Sequence, residues 1–316
     1  MRLWVTAVCA SVLATSAFAQ TYPTRPVRLI VPNLAGSATD SVTRAVAQRL
    51  TDSWGQQVVV DNRAGASGII GHEITARAAP DGYTLLMSTS AGLVITPIMG
   101  KLPYDSQRDF APISLVVVSP QMLVSHPSVA ATNVNELLAL ARARPGQLNC
   151  ASPGTYTSNH LGCEMLKLMG KVDFLHVPYK GTSLAVTDVV GGQVQFMFNS
   201  MPAVWPLAKA GKLRALAHAG VKRSPAAPDV PTVAESLPGF QCITWYAMVA
   251  PRATPAAIIN KVNADVVKML ADPPFARRLS EQGQDPQSSS PAELTAYMRA
   301  ETERWTGVLK SAGFLK

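Results

Sequence analysis

Short apolar runs that end in clusters of small residues and lead straight into amphipathic stretches recur along this chain. That alternation restricts it to a largely parallel sheet covered by helices. Val27–Val31 reads as a strand and residues 32–37 as a turn. Residues 39–50 read as a helix, with Val42, Val46 and Leu50 on one face and Thr39 or Asp40 at its start. A second strand falls at residues 58–60, a glycine-bearing loop at 62–68, a helix at 69–78 and a strand at 83–87 that ends in Ser88, Thr89 and Ser90.

A second series starts after Pro127. Residues 133–142 predict a helix closed by Pro145 and Gly146. A strand at 148–151 enters the small-residue segment 152–158, and a helix follows over 159–169. Strands at 174–177, 194–198 and 213–218 complete the series, with a helix that stops at Gly191 and Gly192. The remainder reads as an apolar strand at 243–249 and helices at 255–270 and 291–309, the last with Leu294, Met298, Trp305 and Leu309 as core anchors. The chain therefore divides into two α/β units plus a returning tail, with crossings expected near 121–127 and 241–245. Such folds bind ligands where strand ends and helix starts converge.

The first nineteen residues have a different design. Arg2 supplies a positive charge, residues 3–13 are mostly apolar, and Ala17-Phe18-Ala19 forms a small-x-small cleavage site. This is the layout of a secretory signal peptide, and the apolar run is shorter than the ~20 residues a membrane span requires. Export permits disulfides, and Cys150, Cys163 and Cys242 allow one bridge and one free thiol without indicating the pair. The formal charge is +8. No Lys/Arg run with interleaved aromatics accompanies it, which argues against nucleic acid and fits a pocket for anionic solutes.

Catalytic signals are sparse. Gly181-Thr-Ser183-Leu-Ala185 is the nearest approach to a nucleophile elbow, the five histidines have no metalloprotease spacing, and His160-x-x-Cys163 lacks a second half. Gly65, Gly68 and Gly71 are wrongly spaced for a dinucleotide fingerprint. No catalytic residue, metal site or cofactor is expected. Instead, Ala35 to Thr39, Ser88 to Ser90 and Ser152 to Ser158 each end a strand and open a helix with small side chains. Backbone N–H groups at such a helix start, with its partial positive charge, form an anion site that needs no cationic side chain.

Several motifs occur together in order: Tyr22-Pro-Thr-Arg-Pro26, Gly55-Gln-Gln-Val-Val-Val-Asp-Asn-Arg-Ala-Gly65, Ala78-Ala-Pro-Asp-Gly-Tyr-Thr-Leu85, His176-Val-Pro-Tyr-Lys-Gly181 and Pro228-Asp-Val-Pro-Thr-Val-Ala-Glu235. With them, essentially all of residues 20–316 resembles the substrate-binding proteins of tripartite tricarboxylate transporters, the Bug family. The resemblance implies a type II periplasmic-binding-protein fold, with two lobes closing on a carboxylate ligand. The lobes are expected at 20–127 with 243–316, and at 128–242. By position, Gly36, Ser37, Ala38, Thr39, Asp40, Ser88, Thr89, Ser90 and Ala91 match ligand loops of the first lobe. Ser152, Gly154, Thr155, Thr157, Ser158, Tyr179 and Asn199 match those of the second. Asn33 stands where the family commonly has an aromatic, so a ligand-covering ring is missing. Ser37 replaces a common glycine, and Asn199 an aspartate, which favours a plain carboxylate over an amino acid.

The implied partners are a small carboxylate and the membrane permease subunits, with the protein a periplasmic monomer. Two alternatives stay open at this point: a ligand-presenting partner of a sensor with the same fold, and a periplasmic hydrolase.

Overall fold

The computed structural model describes residues 22–315. The signal peptide expected at 1–19 lies outside them. Among the described residues no helix is long and apolar enough to cross a membrane.

In chain order, β1 (Val27–Val31) leads to α1 (Ala38–Trp54), β2 (Val58–Asn62), α2 (Ile69–Ala76) and β3 (Thr84–Thr89). A π-turn over Ala91–Ile95 runs into α3 (Thr96–Met99), and β4 (Phe110–Ser125) follows. The second series is α4 (Val134–Ala143), β5 (Asn149–Ser152), α5 (Ser158–Gly170), β6 (Leu175–Pro178), α6 (Thr182–Val190), β7 (Phe196–Ser200), α7 (Met201–Lys209) and β8 (Arg214–His218). The tail carries β9 (Ile243–Pro251), α8 (Ala256–Leu270), α9 (Pro273–Glu281), β10 (Asp285–Pro286) and α10 (Pro291–Ser311).

The strands run in the order β2-β1-β3-β9-β4-β7-β5-β6. β2, β1 and β3 are parallel, as are β6, β5 and β7. Two antiparallel strands, β9 and β4, join these sets. The sequence pattern predicts the parallel sets but not β4. Pro112 and Pro120 interrupt β4, and a proline cannot donate to a sheet ladder. In the structure those prolines sit where the strand changes behaviour. The register shifts between Pro112 and Ser114. Up to Pro120 β4 pairs with β9, and from Gln121 it pairs with β7 and β8. α7 and α9 are likewise absent from the sequence reading, since Pro202, Pro206, Pro273 and Pro274 obscure their period.

The tail is tied to this junction by buried polar bonds. Trp245 and Trp305 both donate their indole N–H to Glu301, which is nearly inaccessible, and Arg304 pairs with the same carboxylate. Arg304 also donates to the Gln241 carbonyl. Leu294, Met298, Trp305 and Leu309 are buried in one apolar cluster with Leu123, Phe198 and Phe240. The cysteine pair left open by the sequence is Cys150–Cys163, with Cys242 buried as a free thiol. The bridge joins β5 to α5 and so encloses segment 152–158 between its two ends.

Candidate functional site

A cleft of about 1310 Å³ opens between the strand ends of the two parallel sets. One wall is the turn after β1, the start of α1, His72 of α2, and Thr89 and Ala91 after β3. The other is the turn after β5, Tyr179 and Lys180 after β6, and the first turns of α6 and α7. Glu281 at the end of α9, with Gln282 and Gln284 just beyond it, completes it.

The first turn is built by α1's own cap. Ser37 is extended, and its Oγ accepts from the Asp40 N–H. Gly36 takes the left-handed backbone, φ 79°, that glycine tolerates best. Serine at 37 therefore costs no strain and adds a cap. Asp40 lies behind the turn, almost fully buried. It accepts from the Gly36 N–H at 2.9 Å, from Arg44 Nε at 2.9 Å and from Asn62 Nδ2 at 2.9 Å. Burial alone would raise its pKa, but the Arg44, Gly36 and Asn62 hydrogen bonds outweigh burial and hold the carboxyl below its ordinary range. On α2, Gly71 allows close approach to this turn, since a Cβ there would lie 3.0 Å from the Pro32 Cα.

Facing it, Thr157 caps α5 by accepting from the His160 N–H. Tyr156 adopts φ 61°, unusual for a residue with a side chain, and lines the cleft. α6 begins at Gly181 and α7 at Ser200, neither with a side-chain cap. Four helices thus start at this cleft, and the first N–H groups of each have no partner within the helix. Together they offer an anion dipoles and donors from both walls.

Cationic side chains contribute less. Lys180 and Lys209 are exposed at the lip. His72 is uncharged at neutral pH because burial pushes its pKa down to about 4. Its Nδ1 meets the Gly68 carbonyl at 2.8 Å and its Nε2 meets Ser88 Oγ at 2.6 Å. This Ser–His pair has no acid partner on Nδ1, and Ser88 is fully buried.

Of the sequence-predicted residues, Gly36, Ser37, Ala38, Thr89, Ala91, Gly154, Thr155, Thr157 and Tyr179 line the cleft. Thr39, Asp40, Ser88, Ser90, Ser152, Ser158 and Asn199 do not; they are buried behind the walls. Ser152 Oγ contacts His176 Nε2, Ser158 Oγ contacts Thr244 Oγ1, and Asn199 accepts from the Ser200 N–H. The strand end chosen at Asn199 is thus one residue short of the surface. Lys180 stands at the cleft lip. The sequence reading omits Leu34, the starts of α6 and α7, and Gln284. The last is 1% exposed, with both carboxamide atoms lacking a well-formed hydrogen bond. Its only sequence signal would have been a polar residue in the short connection after α9, which is too common to single out. A second cavity of about 860 Å³ lies between residues 94–108 and α10, lined by none of the predicted residues.

The model of a family described as "Tripartite tricarboxylate transporter family receptor" matches residues 42–314. The chain belongs to this receptor family. Protein BugT of Bordetella pertussis is 38% identical to this receptor over 304 residues, 95% of this chain and 93% of its own. The structure of R. palustris Rpa4515 with adipate superposes with a TM-score of 0.88 at 35% identity, covering 92% of this chain and 98% of that one. MatC from Rhodopseudomonas palustris with bound malate gives a TM-score of 0.82 at 31% identity, covering 91% and 100%. The receptor therefore has the two-lobed periplasmic-binding-protein fold that these relatives share.

Proposed function

We propose that this chain is the extracytoplasmic solute receptor of a tripartite tricarboxylate-type transporter, and that it captures a small carboxylate and hands it to membrane permease subunits. The observation that carries this reading is the convergence of four helix N-termini, from both walls, on one cleft. That arrangement neutralises an anion with fixed main-chain dipoles and offers no exposed nucleophile–base pair, so the role is binding rather than catalysis. Relatives solved with adipate and with malate support a carboxylate as the guest.

In this reading the lobes comprise 20–127 with 243–316, and 128–242. The change of β4 partner between Pro120 and Gln121 supports a crossing between lobes in the segment 121–127 that precedes this boundary. Gly36, Ser37, Ala38, Thr89, Ala91, Gly154, Thr155, Thr157 and Tyr179 contact the ligand. Thr39, Asp40, Ser88, Ser90, Ser152, Ser158 and Asn199 hold those loops in place. Gln284 adds a carboxamide able to donate to a carboxylate oxygen. The protein acts as a periplasmic monomer after removal of residues 1–19. Closure is a population shift driven by contacts to both lobes.

The test is a melting screen on protein unfolded and refolded to strip any endogenous ligand. Citrate, dicarboxylates, aromatic carboxylates and acidic amino acids form the panel. A ligand at 100 times its Kd stabilises by about 2.7 kcal/mol, a rise of roughly 5–10 °C for a domain of this class. A flat response across the panel would overturn the reading.

A further inference from the structure

The cleft carries apolar surface on both walls. Among the large apolar side chains that remain exposed, Leu34 is 69% exposed, Leu184 56% and Tyr156 36%, and all three line it. Leu34 belongs to the first wall, Leu184 and Tyr156 to the second. Singly exposed apolar residues are ordinary, whereas apolar residues facing one another across a concave site form a patch awaiting cover. Leu34 is also the one large side chain in a turn otherwise made of Asn33, Ala35, Gly36 and Ser37. Trp205 adds an indole to the second wall.

Several hydroxyls on the cleft walls already have partners within the protein. Ser37 Oγ accepts from the Asp40 N–H. Thr157 Oγ1 donates to the Gly154 carbonyl and accepts from the His160 N–H. The Tyr179 hydroxyl donates to Asp188. The helix starts and Gln284 can serve the charged ends of a guest. Guest hydroxyls packed against Leu34, Leu184, Tyr156 or Trp205 would lose water and meet carbon instead.

We infer that this cleft selects carboxylates with an apolar body, alkyl or aromatic, over hydroxylated carboxylates of the same length and charge. Leu34 and Leu184 are the specificity-determining residues. The inference rests on the carboxylate reading above and narrows it.

Matched pairs test it: adipate against galactarate, succinate against tartrate, and 3-phenylpropionate against 3-phenyllactate. Each is titrated calorimetrically into the refolded full-length mature protein, with Trp fluorescence as a parallel readout. In the pair that binds best, the apolar member is expected to bind at least about tenfold tighter. Leu34→Ser and Leu184→Ser, both at exposed positions, should each cut that ratio about threefold or more. Equal or tighter binding of the hydroxylated member overturns the inference and leaves the carboxylate reading standing. A ratio that survives in both variants removes the role of these two residues. Absence of binding in every pair, on protein that melts cooperatively, removes the carboxylate reading itself.

Discussion

Replacing Asp40 with alanine tests whether the first ligand turn is held from behind. The carboxylate collects three donors, from Gly36, Arg44 and Asn62, while almost fully buried. Removing it leaves the Gly36 N–H and one N–H of the Asn62 carboxamide without an acceptor, at about 1–3 kcal/mol for a buried donor, while the Asn33 carbonyl keeps the other Asn62 N–H. The Gly36 loss falls at the low end because that residue is exposed to water. Loss of a negative charge from the first turn of α1 adds about 0.3–1 kcal/mol. Arg44, with a side chain 54% exposed, rehydrates at little cost. The total is about 2–4 kcal/mol, or roughly 5–15 °C in melting temperature at 2–4 °C per kcal/mol. Because Gly36 and Ser37 line the cleft, the best carboxylate from the screen should also bind at least about tenfold more weakly as the turn relaxes.

Asp40→Asn keeps one acceptor but turns an amide toward donors, and should fall between the parent and the alanine variant. Differential scanning fluorimetry and titration calorimetry measure the two effects separately. A melting temperature within about 2 °C of the parent would refute the packing estimate. A large drop in stability with unchanged affinity would refute the link from Asp40 to the ligand turn. The carboxyl is held below its ordinary value of 3.8, so its contribution is complete at neutral pH and is lost as pH falls through the lower folded value.

Two further outcomes follow from buried groups. Burial pushes the pKa of His72 down to about 4, of His160 to about 3 and of His176 to about 4; the neighbouring His176 and Lys167 act further on His160. The unfolded chain takes up these protons below about pH 6.5 while the folded one resists, so stability should decline as pH falls from about 6.5 toward 4, by on the order of 2–3 kcal/mol at pH 4.5 for the fully buried His72 and by less for His160 and His176, which water screens in part. A melting temperature that holds constant from pH 7 to 5 would contradict this. Reduction of Cys150–Cys163, separated by 13 residues, should cost about 3 kcal/mol and weaken ligand binding, because the loop it encloses carries Gly154, Thr155 and Thr157. Thiol titration must confirm the reduction, and an unchanged melt and affinity after it would dispose of the staple.

Local pattern was enough to fix which segments become parallel strands and most of the helices between them, α7 and α9 excepted, because periodicity and turn chemistry act over a few neighbours. It also located the turns at residues 36–38, 89–91 and 154–157, since small residues between a strand and a helix leave the main chain accessible. Segment 110–125 was beyond it. Its prolines read as breaks until β9 lies alongside and β7 takes over as partner. Which hydroxyls and carboxyls face the guest was equally out of reach. Asp40, Ser88, Ser152 and Asn199 occupy the right turns, yet their side chains are claimed by Asn62, His72, His176 and the Ser200 N–H. Leu34, Leu184 and Gln284 come from segments far apart in sequence and become neighbours of one cavity only when the chain crosses twice between its sheets. A turn announces itself through its own residues, whereas the direction of a side chain is decided by whichever distant partner satisfies it.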